Sequence, residues 1–521
     1  MLRRATARSH PWDMVIVGGG ATGVGVAVDA ASRGYEVLLL EQSDFGKGTS
    51  SRSTKLVHGG VRYLEQGNIP LVIEALKERG LLRRNAPHLV RDLAFVVPSY
   101  DWWEAPFFGL GLKIYDLLSG RYGFGPSQIL SRDETLARLP TIKTEGLLGG
   151  VVYYDGQFDD ARLLINLVAT AAEQSATLLN YAAVTAVTRD AEGFLDGVLA
   201  LDAESGREFR AGARVVINAA GPFADSVRRL ADPGTAPLLA PSQGIHLVLD
   251  RSFLPGESAI MVPHTSDGRV LFAIPWHGHT LVGTTDTPVE EASLEPVALE
   301  AEIDFVLRTA GAYLERAPAR DDVLSVFAGI RPLVKTAGAK NTAALSRGHN
   351  IHVDATGLLT ICGGKWTTYR RMAEDCVNQA ATLARLPEAP CVTRDLAIHG
   401  FDEHATEFGE LAVYGSDARA IQELIRRDAR LSERLHPALP YCGAEVVWAV
   451  RNEMTRTVED ALARRTRALF LNARAAIAMA PRVAELMARE LGRDAAWAAG
   501  QVRAFEEVAR KYLTLKPPEN L

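Results

Sequence analysis

Four side chains able to move a proton or hold an anion stand in settings where an ordinary solvated helix is not expected. His58 and Arg62 lie in Gly48-Thr-Ser-Ser-Arg-Ser-Thr-Lys-Leu-Val-His-Gly-Gly-Val-Arg-Tyr-Leu-Glu65, a segment dense in hydroxyls and glycines. Arg331 sits in Gly329-Ile-Arg-Pro-Leu333, and Lys365 in Gly363-Gly-Lys-Trp-Thr-Thr-Tyr-Arg370. An imidazole takes a proton near neutral pH, an arginine grips an oxyanion through two parallel hydrogen bonds, and a lysine supplies a point charge. The residues alone leave His58 divided between a general base and a ring that only hydrogen-bonds a cofactor or backbone. Tyr63 is divided in the same way between a substrate contact and a buried structural tyrosine. His246 and Thr285 read more safely as core packing or turn residues.

Elements that could position these groups begin near the N-terminus. Met14-Val-Ile-Val17 is a short apolar run ended by Gly18-Gly19-Gly20-Ala21-Thr22-Gly23, and the small and apolar residues up to Arg33 suit a helix packed on a sheet. Gly18, Gly20 and Gly23 match G-x-G-x-x-G, in which the glycines permit the turn, close approach of backbone to a pyrophosphate, and close packing of helix on strand. The helix N-terminus then faces the phosphates. A second run, Val37-Leu-Leu-Leu40, ends in Glu41, placed 18 residues after Gly23, where a carboxylate accepts hydrogen bonds from ribose hydroxyls. Strand, turn, helix, strand and acid in this order predict dinucleotide binding; the motif does not separate FAD from NAD.

Size and composition bound the rest. A chain of 521 residues is too long for one core and predicts two or three domains. Apolar residues at 47% and charged residues at 23% are ordinary globular values, which argue against long disordered tracts. A net charge of -6 gives no reason to expect nucleic acid as a partner. Cys362, Cys376, Cys391 and Cys442 are scattered, so no zinc or iron-sulfur site is read from them and no metal is expected; a reducing compartment fits best. The first residues lack the apolar core of a secretory signal, and no uncharged apolar run is long enough to cross a bilayer.

The Gly48–Glu65 segment resembles the signature S-S-x-S-x-K-L-x-H-G-G-x-R-Y-L of FAD-dependent glycerol-3-phosphate dehydrogenases of the respiratory, aerobic type. The resemblance recurs in Asp159-Asp160-Ala-Arg162, Val216-Ile-Asn-Ala-Ala-Gly-Pro222, Ala273-Ile-Pro-Trp276, Gly283-Thr-Thr-Asp286 and the segments around Arg331 and Lys365, so nearly the whole chain is covered. It implies an α/β fold: an FAD-binding Rossmann-like domain, a mixed-sheet substrate domain as in the amino-acid oxidases, and a C-terminal helical cap. The expected boundaries are a discontinuous FAD-binding domain (about 12–95, 155–235 and 325–390), an interleaved substrate domain (about 96–154 and 236–324), and a cap over 391–521. The residues agree locally. Leu358-Leu-Thr-Ile361 reads as a strand followed by Gly363-Gly364 and a helical run to Leu383, and Glu445 to Tyr512 has helical spacing with Leu462, Leu469 and Phe470 on one face.

The same resemblance implies oxidation of sn-glycerol 3-phosphate to dihydroxyacetone phosphate, with hydride passed to FAD and electrons to a membrane quinone. It places Gly18, Gly20, Gly23, Glu41, Thr49, Ser50, Ser51, Ser53, Lys55, Gly59, Gly221, Gly364 and Thr367 at the cofactor. His58, Arg331 and Lys365 become the catalytic candidates, and Arg62, Tyr63, Arg331 and Lys365 the candidates for holding substrate. Rival readings are a glycerol-3-phosphate oxidase that uses dioxygen and makes peroxide, and a non-catalytic flavin-binding sensor. No mid-chain insertion of the kind typical of the oxidases is seen, and the retained His58, Arg62, Arg331 and Lys365 argue against the sensor.

A quinone partner requires contact with a bilayer surface. Trp102-Trp103-Glu-Ala-Pro-Phe107-Phe108-Gly-Leu-Gly-Leu112-Lys113 is the segment suited to it, with an apolar helix packed inside the protein as the alternative. Arg464, Arg465 and Arg467 read as a solvated helix face. The expected location is cytoplasmic and peripheral to the cytoplasmic membrane, with a homodimer as a candidate assembly.

Overall fold

The structure is a computed structural model that describes residues 1–65, 67–263, 265, 270–335 and 348–514; the side chains of Arg62 and Glu65 also fall outside the described set. Strand β1 (Trp12–Val17) is apolar and buried except for the half-buried Asp13, and parallel strands flank it on both sides. Gly18 ends it at φ +113°, where a Cβ would lie 2.6 Å from the Ala219 carbonyl oxygen. Helix α1 (Ala21–Ser32) follows and is buried along nearly its whole length. Its start must touch the strand it leaves: a Cβ on Gly23 would fall 1.9 Å from the Gly18 oxygen, so any side chain there separates helix from sheet.

The first sheet runs in the order 349–353, 359–363, 207–218, β1, β2 (Val37–Leu40), 177–179. Along this path all neighbours are parallel except the antiparallel edge strand His349–Val353, and off it 195–202 pairs antiparallel with 207–212 and with 182–189. The parallel part of such a sheet needs cover on both faces, which is why Met14–Val17, Val37–Leu40 and Val215–Ile217 are continuous apolar runs rather than alternating ones. α1 packs with the helices Asp160–Glu173 and Tyr369–Leu383 in one apolar core that includes Val24, Leu39, Leu164 and Met372. Each fully buried valine or leucine there contributes roughly 1.5–3 kcal/mol relative to exposure.

A second, mixed sheet of ten strands carries the middle of the chain. Its path runs 287–288, 239–250, 279–283, 271–276, 258–262, 90–99, 149–158 and 56–57, and Val323–Val334 pairs along the whole of Leu239–Asp250. Because 56–57 and 323–334 belong to this sheet, the segments before His58 and around Arg331 come from one layer.

The C-terminal region is helical, as expected, with Gly443–Asn452, Ala473–Leu491 and Ala495–Ala509 as its main helices. One expectation fails here. Arg464, Arg465 and Arg467 are not a solvated face but three of the most deeply buried side chains. Arg464 and Arg465 both donate to Asp44 at 2.5 Å, and Arg467 donates to the Ser51 carbonyl and to Asp160. Burial alone would raise the Asp44 carboxyl, but Arg465 and Arg464 outweigh it and hold it down at about 2. The helical pattern of the sequence was satisfied by a partner layer, and each buried guanidinium is tolerated because a carboxylate meets it.

Helix α2 (Glu104–Ser119) divides its apolar residues between two faces. Phe108, Leu112 and Tyr115 pack inward, whereas Trp103, Phe107, Leu110, Ile114 and Leu117 are exposed, with Trp102 just before the helix at 82%. The spacing 103, 107, 110, 114, 117 makes one stripe along the helix. The segment is therefore not simply an internal apolar helix. Among the described residues, no helix is long and apolar enough to cross a membrane.

Candidate active site

Two neighbouring cavities share the wall Thr49, Pro332, Gly363, Gly364, Lys365 and Trp366. The larger, about 470 Å³, runs along the turn between β1 and α1. It is lined by Gly18, Gly20, Glu41, Thr49, Ser50 and Gly221, and by the turn before the helix Tyr369–Leu383. At Gly20 a Cβ would meet only the Ser50 hydroxyl oxygen, at 3.1 Å, so the fold itself leaves the space open on the cavity side. Ser50 Oγ accepts from the Ala21 amide at 2.9 Å, which fixes the loop against the start of α1. Glu41 accepts from the amides of Gly19 at 2.6 Å and Ser43 at 2.8 Å, and burial raises its pKa. An acid anchored at the end of β2, an open glycine cradle and a helix start in one cavity suit a dinucleotide with its pyrophosphate at the turn.

The smaller cavity, about 350 Å³, is where the polar chemistry gathers. His58, Tyr63, Arg331 and Lys365 all line it, with Ser53, Thr367, Arg52, His246 and Thr285. The loop carrying His58 enters from the short strand Leu56–Val57, and the His58 amide donates to Thr367 Oγ1 at 3.2 Å, tying that loop to the Lys365 turn. Lys365 Nζ lies 3.6 Å from the centre of the Tyr63 ring, a cation over an aromatic face. Arg331 reaches the cavity from Val323–Val334 across Gly244, where a Cβ would fall 2.3 Å from the guanidinium. Its Nη2 donates to Thr284 Oγ1 at 3.0 Å and its Nη1 to the Gln243 carbonyl at 3.2 Å, so one end of the fork is fixed. Asp286 stands 3.5 Å from Nη1 and accepts from Ser242 Oγ.

Four of the sequence-derived cofactor candidates, Gly23, Ser51, Lys55 and Gly59, line neither cavity. Lys55 is fully buried, with Nζ donating to Asp160 at 2.7 Å and to the Ser51 carbonyl at 2.9 Å; burial pushes its amine down to about 7 against the pull of Asp160. Ser51 offers the carbonyl that holds Lys55 and Arg467. Gly59 faces the other way, toward Tyr115 and Leu76. Gly23 acts through the packing of α1 on β1 described above. The Arg62 side chain lies outside the described residues.

Sequence reasoning gave little weight to three residues of the smaller cavity. His246 is buried, stacks on Phe327 and meets Thr54 Oγ1 at 3.0 Å; burial, then Lys55 and Arg331, hold its ring well below the ordinary histidine range. Arg52 is fixed by Glu295 at 2.9 Å. Asp155 interrupts the apolar strand Gly149–Phe158, and that lone carboxylate was the signal for it.

The family model described as FAD dependent oxidoreductase matches residues 13–370, and that described as C-terminal domain of alpha-glycerophosphate oxidase matches 355–498. The probable mitochondrial glycerol-3-phosphate dehydrogenase of Caenorhabditis elegans is 39% identical over 545 residues, 99% of this chain and 75% of its own length. The mitochondrial glycerol-3-phosphate dehydrogenase of Arabidopsis thaliana is 41% identical over 529 residues, 93% of this chain and 84% of its own. This chain belongs to the FAD-dependent glycerol-3-phosphate dehydrogenases. A solved member of that family, from Bacillus halodurans and complexed with FAD, superposes with a TM-score of 0.80 at 29% identity, covering 100% of this chain and 98% of that one. The expected α/β flavoprotein fold is thus the observed one, and the cofactor is FAD. The glycine cradle, the anchored Glu41 and the open wall at Gly20 fit that group.

Proposed function

We propose that the protein oxidises sn-glycerol 3-phosphate to dihydroxyacetone phosphate and passes the electrons to a membrane quinone. The observation that carries this reading is the smaller cavity, which shares the Gly363–Trp366 wall with the dinucleotide cavity and gathers the imidazole of His58 with the cations Arg331 and Lys365. FAD held along Gly18, Gly20, Glu41, Ser50, Gly221 and Gly364 supplies the hydride acceptor. His58 takes the proton of the substrate hydroxyl, a role its loop position and ordinary chemistry allow near neutral pH. Arg331 and Lys365 bind the phosphate or the developing alkoxide, with Arg331 held so that its fork presents one orientation. Tyr63 backs Lys365 and narrows the cavity. The named activities of the Caenorhabditis elegans and Arabidopsis thaliana relatives support the same substrate.

The quinone reading draws on helix α2. A stripe of exposed aromatic and aliphatic residues suits peripheral contact with a bilayer, and we place the protein on a membrane surface through it. We keep the division into an FAD-binding part, a substrate part and a cap beginning near residue 391. A second reading, transfer to dioxygen, is favoured by the match of 355–498 to an alpha-glycerophosphate oxidase domain. FAD-loaded protein offered glycerol 3-phosphate separates the two when assayed with a quinone analogue in liposomes and, in parallel, with oxygen alone. Quinone reduction without peroxide is expected. Polar replacement of Trp102, Phe107, Leu110 and Leu117 should release the protein from liposomes and leave activity with a soluble dye intact. Peroxide as the main product would assign the oxidase reading, and no flavin reduction by glycerol 3-phosphate would overturn both.

A further inference from the structure

Against the His58 loop lies a buried polar group that the reaction outlined above does not use, although its carboxylate, Asp155, also lines the smaller cavity. Asp155 on Gly149–Phe158, Tyr115 on α2 and Arg79 on the helix Ile69–Asn85 come from three elements, and none is more than 2% exposed. The Tyr115 hydroxyl donates to Asp155 Oδ2 at 2.7 Å, and Arg79 Nη1 donates to Asp155 Oδ1 at 2.6 Å. Tyr115 and Asp155 converge on a single backbone group. The Gly59 amide donates to the Tyr115 oxygen at 2.8 Å and, more weakly, to Asp155 Oδ1 at 3.4 Å. Gly59 joins His58 to Gly60, which turns at φ +80°, and a Cβ at Gly59 would fall 2.4 Å from the Tyr115 oxygen.

We propose that Asp155, Tyr115 and Arg79 form a positioning unit that fixes the Gly59 amide and thereby aims the His58 ring into the substrate cavity. The inference rests on the reading of His58 as the base. Three physical points favour it over plain stabilisation. A buried ion pair is weak support for stability, since well-packed apolar residues of the same volume serve as well; it earns its place where it fixes geometry. The proton of Tyr115 is committed: burial, then the Asp155 carboxylate, raise the phenol well above its ordinary pKa, so its oxygen is left to accept from Gly59. Arg79 in turn holds Asp155 from the opposite side, with its other nitrogen donating to the Tyr122 carbonyl at 3.1 Å. A turn without this clamp would keep its residues and lose the direction of one ring, and misplacement of a reacting group by about 1 Å can cost on the order of 100-fold.

The test uses full-length FAD-loaded protein carrying Tyr115→Phe or Asp155→Asn, each nearly isosteric. Anaerobic stopped-flow flavin reduction by glycerol 3-phosphate should slow by about 10- to 100-fold. The half-saturating substrate concentration should move less than about threefold, because Arg331 and Lys365 are untouched. Hydrogen exchange of the peptide containing Gly59 should rise by about tenfold in both variants. Tyr115→Phe keeps the ion pair, so it decides the matter if Asp155→Asn does not accumulate. Unchanged reduction rates, unchanged exchange at Gly59, or a loss carried wholly by weaker substrate binding would each overturn the proposal. The wild-type control keeps the two readings apart: if glycerol 3-phosphate does not reduce its flavin, the function is wrong, and Gly59 exchange still decides whether the clamp exists.

Discussion

Replacing Arg331 by leucine removes a guanidinium of the small cavity that is held by Thr284 Oγ1 and the Gln243 carbonyl, with the Asp286 carboxylate 3.5 Å from Nη1. Unit charges about 4 Å apart attract by about 4 kcal/mol at the effective dielectric of a protein surface. Two features lower that figure. The Arg331 side chain is 26% exposed, so water screens it, and Lys365 on the shared wall still offers a charge. A loss of about 2–4 kcal/mol in transition-state stabilisation follows, or about 30- to 900-fold in kcat/KM for glycerol 3-phosphate. The assay compares glycerol 3-phosphate with unphosphorylated glycerol at high concentration, using a soluble dye as acceptor. If Arg331 holds the phosphate, glycerol turnover, however slow, falls much less. Arg331→Lys should recover part of the loss, since it restores charge without the fork. Equal losses on both substrates would refute the reasoning and make Arg331 a structural residue of the sheet.

His58→Ala should slow flavin reduction by about 100-fold or more while FAD stays bound, and a normal rate at neutral pH would remove His58 from the base role in favour of Lys365. Gly20→Val should fold, because a Cβ there meets only Ser50 Oγ, yet purify with little flavin; full FAD occupancy by absorbance would show that the pyrophosphate does not pass that point. His399 bridges Asp417 at 2.8 Å and Glu173 at 2.6 Å, and these partners, Asp417 first, raise its pKa from 6.5 to about 9. Its stabilisation is complete below pH 6.5 and is lost as pH rises through 9. Denaturation midpoints should therefore fall between those values by an equivalent of about 1–3 kcal/mol, and His399→Gln should flatten the trend; a wild-type profile that does not fall over this range would contradict it.

Local rules made the dinucleotide half of the molecule legible in the sequence. Gly18, Gly20 and Gly23 are demanded by a turn only a few residues long, and β2 and the Met14–Val17 part of β1 are apolar throughout because a parallel sheet is covered on both faces. The strand and helix flanking Lys365 were equally visible, since Gly363 and Gly364 punctuate them at positive φ. Charges far apart in sequence were not. Nothing local tells that Arg464 and Arg465 meet Asp44, more than 400 residues away, so the ordinary expectation for arginine on a helix was the wrong one. Lys55 belongs to a recognisable segment, yet only the packing of Asp160 and Arg467 around it turns it away from the cavities. The two faces of α2 likewise depended on what packs against it, because hydrophobic periodicity states that a face is apolar without stating whether it is covered. Tyr115, Asp155 and Arg79 come from separate elements that only the fold brings together behind Gly59. Sequence determined the turns and strands, whose constraints lie within a few residues; tertiary structure decided the partners of buried charges, because a charge's cost depends on which distant group arrives beside it.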